Sequence, residues 1–264
     1  SLSDIGEAVH VNGPGSASLG IDGADAYRIF MFEYIDDTSG SLEVTGLTLT
    51  RGDGTDNPDN TGGAIHLYKG DAPLLVDDVV FDANHAEDGG AIALYESDAA
   101  LTIRNSIFTD NEASEQGGAL YIDDDDVGSV VVISDSTFTG NSAEDGGALY
   151  QDSGTLLIER SVISGNTALY DGGGLFLYNV DATVVDSTID GNVGGQDGGG
   201  ISLYVGELSL VNSTVSGNRA GRNGGGLYFD GDTATIIQST ISGNTAVQGG
   251  GIFATDDTSV GILL

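Results

Sequence analysis

Residues Ser136–Asp152 read STFTGNSAEDGGALYQD, and Ser239–Asp256 read STISGNTAVQGGGIFATD. The wording changes, but the Asn, the paired glycines and the apolar residue three places before the Asn keep their spacing. Paired glycines begin at Gly62, Gly89, Gly117, Gly146, Gly172, Gly198, Gly224 and Gly249, in steps of 27, 28, 29, 26, 26, 26 and 25 residues. The second mark runs Phe81 to Asn84, Phe108 to Asn111, Phe138 to Asn141, Ile163 to Asn166, Ile189 to Asn192, Val215 to Asn218 and Ile241 to Asn244. A fixed period of this kind outranks any local reading of secondary structure.

Each unit is too short for a βαβ module and lacks helical periodicity. It holds short alternating runs such as LTIRNSIF and GAIALY, separated by Asn and Gly, which is strand and turn chemistry. A leucine-rich skeleton is absent, and a propeller blade needs about 40 residues or more. What remains is an all-β solenoid, a right-handed parallel β-helix of about eight recognisable coils of roughly 26 residues, with neighbouring coils about 4.8 Å apart. Residues 44–264 form the repeats, and residues 1–43 cap or begin the stack. Val76, Ile103, Ile133, Ile158, Val184, Leu210 and Ile236 are expected to form an inward apolar ladder, with Val79, Ser106, Ser136, Ser161, Ser187, Ser213 and Ser239 at a tight corner. The Asn column is expected to tolerate a left-handed backbone and to hydrogen-bond along the stack.

Composition agrees with this. Of 264 residues, 43 are Gly and 3 are Pro, and Cys and Trp are absent, so disulfides and thiolate metal sites are excluded. There are 41 acidic and 7 basic residues, a formal charge of −34, with Lys69 the only lysine. Such a surface repels nucleic acid, anionic lipid and polyanionic glycans. No apolar run approaches the roughly 20 residues that span a bilayer, so this segment is not expected to insert directly into a membrane. The missing initiator Met suggests a processed or excised segment, and the apolar ending SVGILL suggests that more chain followed.

The GGAI tetrapeptides at Gly62–Ile65 and Gly89–Ile92, with FDAN, FTDN and FTGN ending at Asn84, Asn111 and Asn141, resemble the GGAI and FxxN repeats of chlamydial polymorphic outer membrane proteins. More widely, roughly residues 44–264 resemble bacterial and archaeal right-handed β-helix surface proteins, and VNGPGSASLGIDG resembles their lead-in segment. Later units depart from the chlamydial form, with Ile or Val for Phe and GGG for GGA. The resemblance implies an extracellular or cell-surface setting and a non-catalytic structural or adhesive role, with a glycan or protein surface, or further copies of the solenoid, as partner.

β-Helices also include pectate lyases and polygalacturonases, so a polysaccharide lyase or glycoside hydrolase is the alternative. Against it, Arg28, Arg51, Arg104, Arg160, Arg219 and Arg222 are dispersed, and no pair sits at one height to grip a uronate. His10, His66 and His85 form no spaced set and are read as surface residues. A minor alternative, ice binding, follows from the outward pairs Thr137/Thr139, Thr188/Asp190, Thr214/Ser216 and Thr240/Ser242.

Two surface features carry the site expectations. Alternation after the glycines throws Tyr121, Tyr150, Phe176, Tyr228 and Phe253 into one outward column and Tyr68, Tyr95, Tyr178 and Tyr204 into the next. Those seven tyrosines are the candidate ligand-binding strip, with aromatic stacking between coils as the competing account. Immediately before the glycines, Asp145, Asp171 and Asp197 would lie one above another. Two charges about 5 Å apart repel by about 0.8 kcal/mol in water, so something must offset them. With Asp53, Asp56 and Asp59 of RGDGTDNPDN, they are the candidate ligands for a hard cation such as calcium. The Asp123–Asp126 run is read with them as a solvated, oxygen-rich loop.

Overall fold

The structure, a computed structural model, describes residues 8–33, 41–55, 60–70, 72–97, 99–123, 129–255 and 259–263. One coil shows the plan. Leu149–Gln151 runs along a first face. Gly154–Glu159 and Val162–Ser164 follow on a second face, and Thr167–Ala168 is a short third side. The chain then turns through Asp171 to Gly174, and Leu175–Tyr178 lands parallel on Leu149–Gln151, with Leu149 over Leu175, Tyr150 over Phe176 and Gln151 over Leu177. Repetition produces a right-handed parallel β-helix with sheets of nine, seventeen and six strands among the described residues, the largest holding two strands per coil.

The stack begins earlier than the repeats suggest. Val9–Asn12 and Gly20–Asp22 pair in parallel with Leu42–Thr50, and Phe30–Glu33 pairs with Ile65–Tyr68. An extra coil therefore precedes the first double glycine, making about nine turns where the motifs mark eight. Arg28 ties this coil to the next, its guanidinium donating to the carbonyls of Thr61 (2.6 Å) and Gly62 (3.1 Å).

The apolar ladder from Val76 to Ile236 lies inside in register. Phe81, Phe108 and Phe138 stack their rings at 4.5 and 4.4 Å. Strands form here because β-branched and aromatic residues alternate with polar ones, and each inward side chain meets its counterpart at coil spacing.

The Asn column is the polar counterpart of that ladder. Asn166 Oδ1 accepts the backbone N–H (3.0 Å) and the Nδ2–H (2.9 Å) of Asn141, while Asn166 Nδ2 donates to Asn192 Oδ1 (2.9 Å) and to the Phe138 carbonyl (3.1 Å). The same pattern runs from Asn84 to Asn218, each fully buried, and Gly52 N–H donates into its first member. Two donors and two acceptor sites of a primary amide are all used.

The left-handed backbone belongs to the residue before the Asn, contrary to the expectation. Ala83 and Asp110 both have φ 53°, and Gly140, Gly165, Gly191, Gly217 and Gly243 lie between 63° and 70°. A left-handed residue there turns the chain, so that the Asn amide points inward. A second left-handed column sits at the bend of the second face, at Asp78, Asn105, Asp135, Arg160, Asp186, Asn212 and Gln238, with φ from 47° to 54°. From Asn105 onward the residue that follows is a serine that bridges the bend, while Val79 follows Asp78. Ser161 Oγ accepts the Ser136 N–H at 3.1 Å and donates to the Glu159 carbonyl at 2.8 Å. At the glycine corner the first Gly is left-handed, as Gly146 at φ 66° shows, and a Cβ on the second, Gly147, would overlap the Gly173 carbonyl of the next coil.

Removing one amide from the middle of the ladder strands several buried groups, each costing about 1–3 kcal/mol. Asn166→Ala is expected to destabilise the chain by about 3–5 kcal/mol in denaturant unfolding. Asn244→Ala, at the half-buried last member, is expected to cost distinctly less.

Candidate functional site

The aromatic residues of the first face lie in register as two columns, Tyr121–Tyr150–Phe176 with Tyr228–Phe253, and Tyr68–Tyr95 with Tyr178–Tyr204. Their rings nevertheless make a single row. Where the first column carries the small residues Ala93 and Ser202, Tyr95 and Tyr204 of the second lean across. The row runs Tyr68, Tyr95, Tyr121, Tyr150, Phe176, Tyr204, Tyr228, Phe253, with centroids 4.9–6.5 Å apart. Tyr178, 47% exposed, stands in no ring stack among the described residues. Five of the seven ring contacts are stacked and Tyr204 lies tilted against Phe176 and Tyr228, so most ring faces in the row are spent on neighbouring rings. A sugar ring seeking an aromatic face finds those faces occupied, so the row acts first as a coil-to-coil fastener.

The acidic column runs beside it. Gln116 N–H donates to Asp88 Oδ1 (3.0 Å), Asp171 N–H to Asp145 Oδ1 (2.9 Å), Asp197 N–H to Asp171 Oδ1 (2.8 Å) and Asn223 N–H to Asp197 Oδ1 (3.0 Å). Tyr204 hydroxyl donates to Asp171 Oδ2 at 2.8 Å, and Arg222 Nη2 lies 3.2 Å from Asp197 Oδ2. Amide donors, a phenol and a guanidinium thus offset the repulsion expected of stacked carboxylates. Among the described residues, no three acidic or histidine groups converge where they could hold a metal ion. Asp53 is engaged separately, its Oδ1 accepting the N–H (2.8 Å) and hydroxyl (2.6 Å) of Thr55, while Asp56, Asp59 and Asp124–Asp126 lie outside the described residues.

Burial beside the aromatic row pushes the Asp88 carboxyl up to about 7, and raises Asp145 and Asp197 above the ordinary range. Burial also raises the phenols of Tyr121, Tyr150 and Tyr204, which stay protonated donors.

The basic residues are spread along the rod. Arg160 makes a two-pronged contact with Asp135 (2.9 Å twice), Arg104 pairs with Asp77 (3.0 Å), Lys69 with Glu96 (2.6 Å), and Arg51 with Asp22. These are clamps between neighbouring coils. His66 departs from its expected surface position. It is fully buried, with both ring nitrogens 3.3 Å from Thr61 Oγ1, and burial together with nearby Arg28 holds it neutral, pushed down to about 3. The threonine row of the second face is in register but broken, because Ile107 and Val162 occupy the column of Thr137 and Thr188 and are both more than a third exposed.

The motif reading missed a concavity of about 230 Å³ on the outer side of the second face, across strands Val180–Val185, Glu207–Val211 and Thr233–Ile237. Asp181, Glu207 and Thr233 share one column there, and Thr183, Ser209 and Thr235 the next. A sequence signal was present. In earlier coils the second of these columns reads Leu75, Thr102, Val132 and Leu157, with a single hydroxyl among aliphatic residues, so the run of three hydroxyl residues Thr183, Ser209 and Thr235 marks the place.

The architecture defines the class as a right-handed parallel β-solenoid. A family model described as the right handed beta helix region matches residues 63–246, well over half of the chain, and the chain belongs to that family. The Chlamydia polymorphic membrane protein repeat matches residues 238–255, a unit with Ile241 in place of Phe and Gly251 in place of Ala. No curated protein and no solved structure matches the chain.

Two outcomes follow from this geometry. Folded Asp88 keeps its proton up to about pH 7, whereas an unfolded aspartate releases it near 4. The folded form therefore holds the extra proton between those values, and stability falls as pH rises through them. Asp88→Asn, which keeps an oxygen for Gln116 N–H, is expected to raise the melting temperature at about pH 8 and to change it little at about pH 4. Tyr150→Ala, which empties the middle of the ring row, is expected to cost about 2–4 kcal/mol, and Tyr178→Ala to stay within about 0.5 kcal/mol of the parent in the same unfolding measurement.

Proposed function

We propose that the chain is a non-catalytic module of an extracellular or cell-surface protein, a rigid acidic rod that serves as spacer and presents a long side face to a glycan or protein partner. The observation that carries this reading is the unbroken hydrogen-bond register from Gly52 to Asn244. A reaction centre usually breaks local regularity to set up its groups. Here successive coils repeat the same corners, and among the described residues Arg28, Arg51, Arg104, Arg160 and Arg222 pair with carboxylates or backbone and no two converge on one point. The local match to the chlamydial membrane-protein repeat supports the surface setting. A formal charge of −34 keeps such rods apart from one another and from nucleic acid.

The test places the purified chain on beads and measures their retention on immobilised glycans and on cell surfaces, with release of reducing ends or unsaturated sugars monitored in parallel. Retention without product release is expected. Depolymerisation of a polysaccharide that disappears on changing one Asp would overturn the proposal in favour of a lyase or hydrolase.

A further inference from the structure

The geometry points to the concavity lined by Asp181, Thr183, Glu207, Ser209, Thr233 and Thr235 as a binding site for one ring of a neutral saccharide. This inference rests on the adhesive reading above and supplies its contact point.

The chemistry of the lining selects the ligand. Among the described residues, all the outward side chains that line the hollow are hydroxyls or carboxylates, and no cation or aromatic ring lines it. An anionic ligand would face Asp181 and Glu207 within a chain of formal charge −34. An apolar ligand would cover Thr183, Ser209, Thr233 and Thr235 without answering their hydrogen-bonding groups, a cost that buried polar groups do not tolerate. A polyol meets both conditions. Its neighbouring hydroxyls can donate together into one carboxylate, and serine or threonine hydroxyls can donate or accept as the ring requires.

Size and rigidity agree. At about 230 Å³ the hollow is smaller than the pockets of about 300–1,000 Å³ that enclose drug-sized ligands, so it suits a single ring rather than an oligomer. The lining residues stand on three hydrogen-bonded strands, which hold them in place before binding. Asp181 is further fixed by accepting the Glu207 N–H at 3.0 Å. An open site of this size binds weakly alone, and many copies on one surface would multiply its effect.

The experiment titrates the isotope-labelled chain with methyl glycosides of neutral hexoses, with glucosamine and galacturonate as comparators, and follows backbone amide signals. A neutral glycoside is expected to shift the amides of Thr183, Ser209 and Thr235 with Kd on the order of 1 mM, and galacturonate to leave them unmoved. Thr183→Val combined with Ser209→Ala is expected to weaken that binding about tenfold with unchanged melting, since both side chains point outward from strands. The inference is overturned by any of four results: no shift at about 50 mM neutral glycoside; shifts confined to other coils; shifts unaltered in the double variant; or binding of glucosamine alone that added salt abolishes. Glycoside hydrolysis lost in Glu207→Gln would replace it with an enzyme. If the double variant loses the sugar but its beads adhere as well as the parent, the hollow is not the contact point of adhesion and the adhesive reading stands. If the sugar binds here and the beads do not adhere, the site stands and the adhesive reading falls.

Discussion

A buried primary amide has two donors and two acceptor sites, and in this protein the amides at the same height of the neighbouring coils fill one of each while backbone groups fill the others. Asn141, Asn166 and Asn192 supply each other in this way, and each also borrows one carbonyl from the coil behind. Apolar ladders alone would tolerate a slip of the strands, because one Ile packs nearly as well as another. A slipped Asn leaves donors and acceptors unpaired in a dry interior, where that is most expensive. The Asn column therefore fixes register, and every other column inherits its height from it.

Fixed register turns single residues into stripes, and the stripes do different work. On the first face, two columns of aromatic residues fuse into one row because Ala93 and Ser202 leave room for Tyr95 and Tyr204 to lean in. Along the corner, each aspartate gives an oxygen to the backbone of the next coil, so a column that looks electrostatically unfavourable is stitched by hydrogen bonds. On the second face, three consecutive short hydroxyl side chains, Thr183, Ser209 and Thr235, follow Val132 and Leu157 in one column and line a hollow. The fastening row and the hollow thus fall on separate sides of the rod.

Much of this was legible in the sequence because a solenoid converts period into position. Apolar marks, serines, asparagines and paired glycines all occupy the columns their spacing implied. Two assignments differed, one of backbone and one of burial, each for a local reason. The left-handed residue precedes the Asn, as at Asp110 and Gly140, because the amide must face inward to reach its neighbour. His66 was expected at the surface, yet it is buried beneath Thr61 and Arg28 of the first turns, whose extra coil carries no double glycine to announce it.

The sequence by itself determined the repeat, the parallel stacking and which residues share a column, since these depend only on spacing and on the hydrogen-bonding capacity of Asn, Ser and Gly. The tertiary structure decided what each outward column does. Whether a tyrosine offers its face or spends it on a neighbour depends on the side chain one coil above, as the contrast between Tyr150 in the row and Tyr178 outside it shows. Whether a strand surface is flat or hollow depends on side-chain size across three coils at once, and that sum exists only when the coils are stacked.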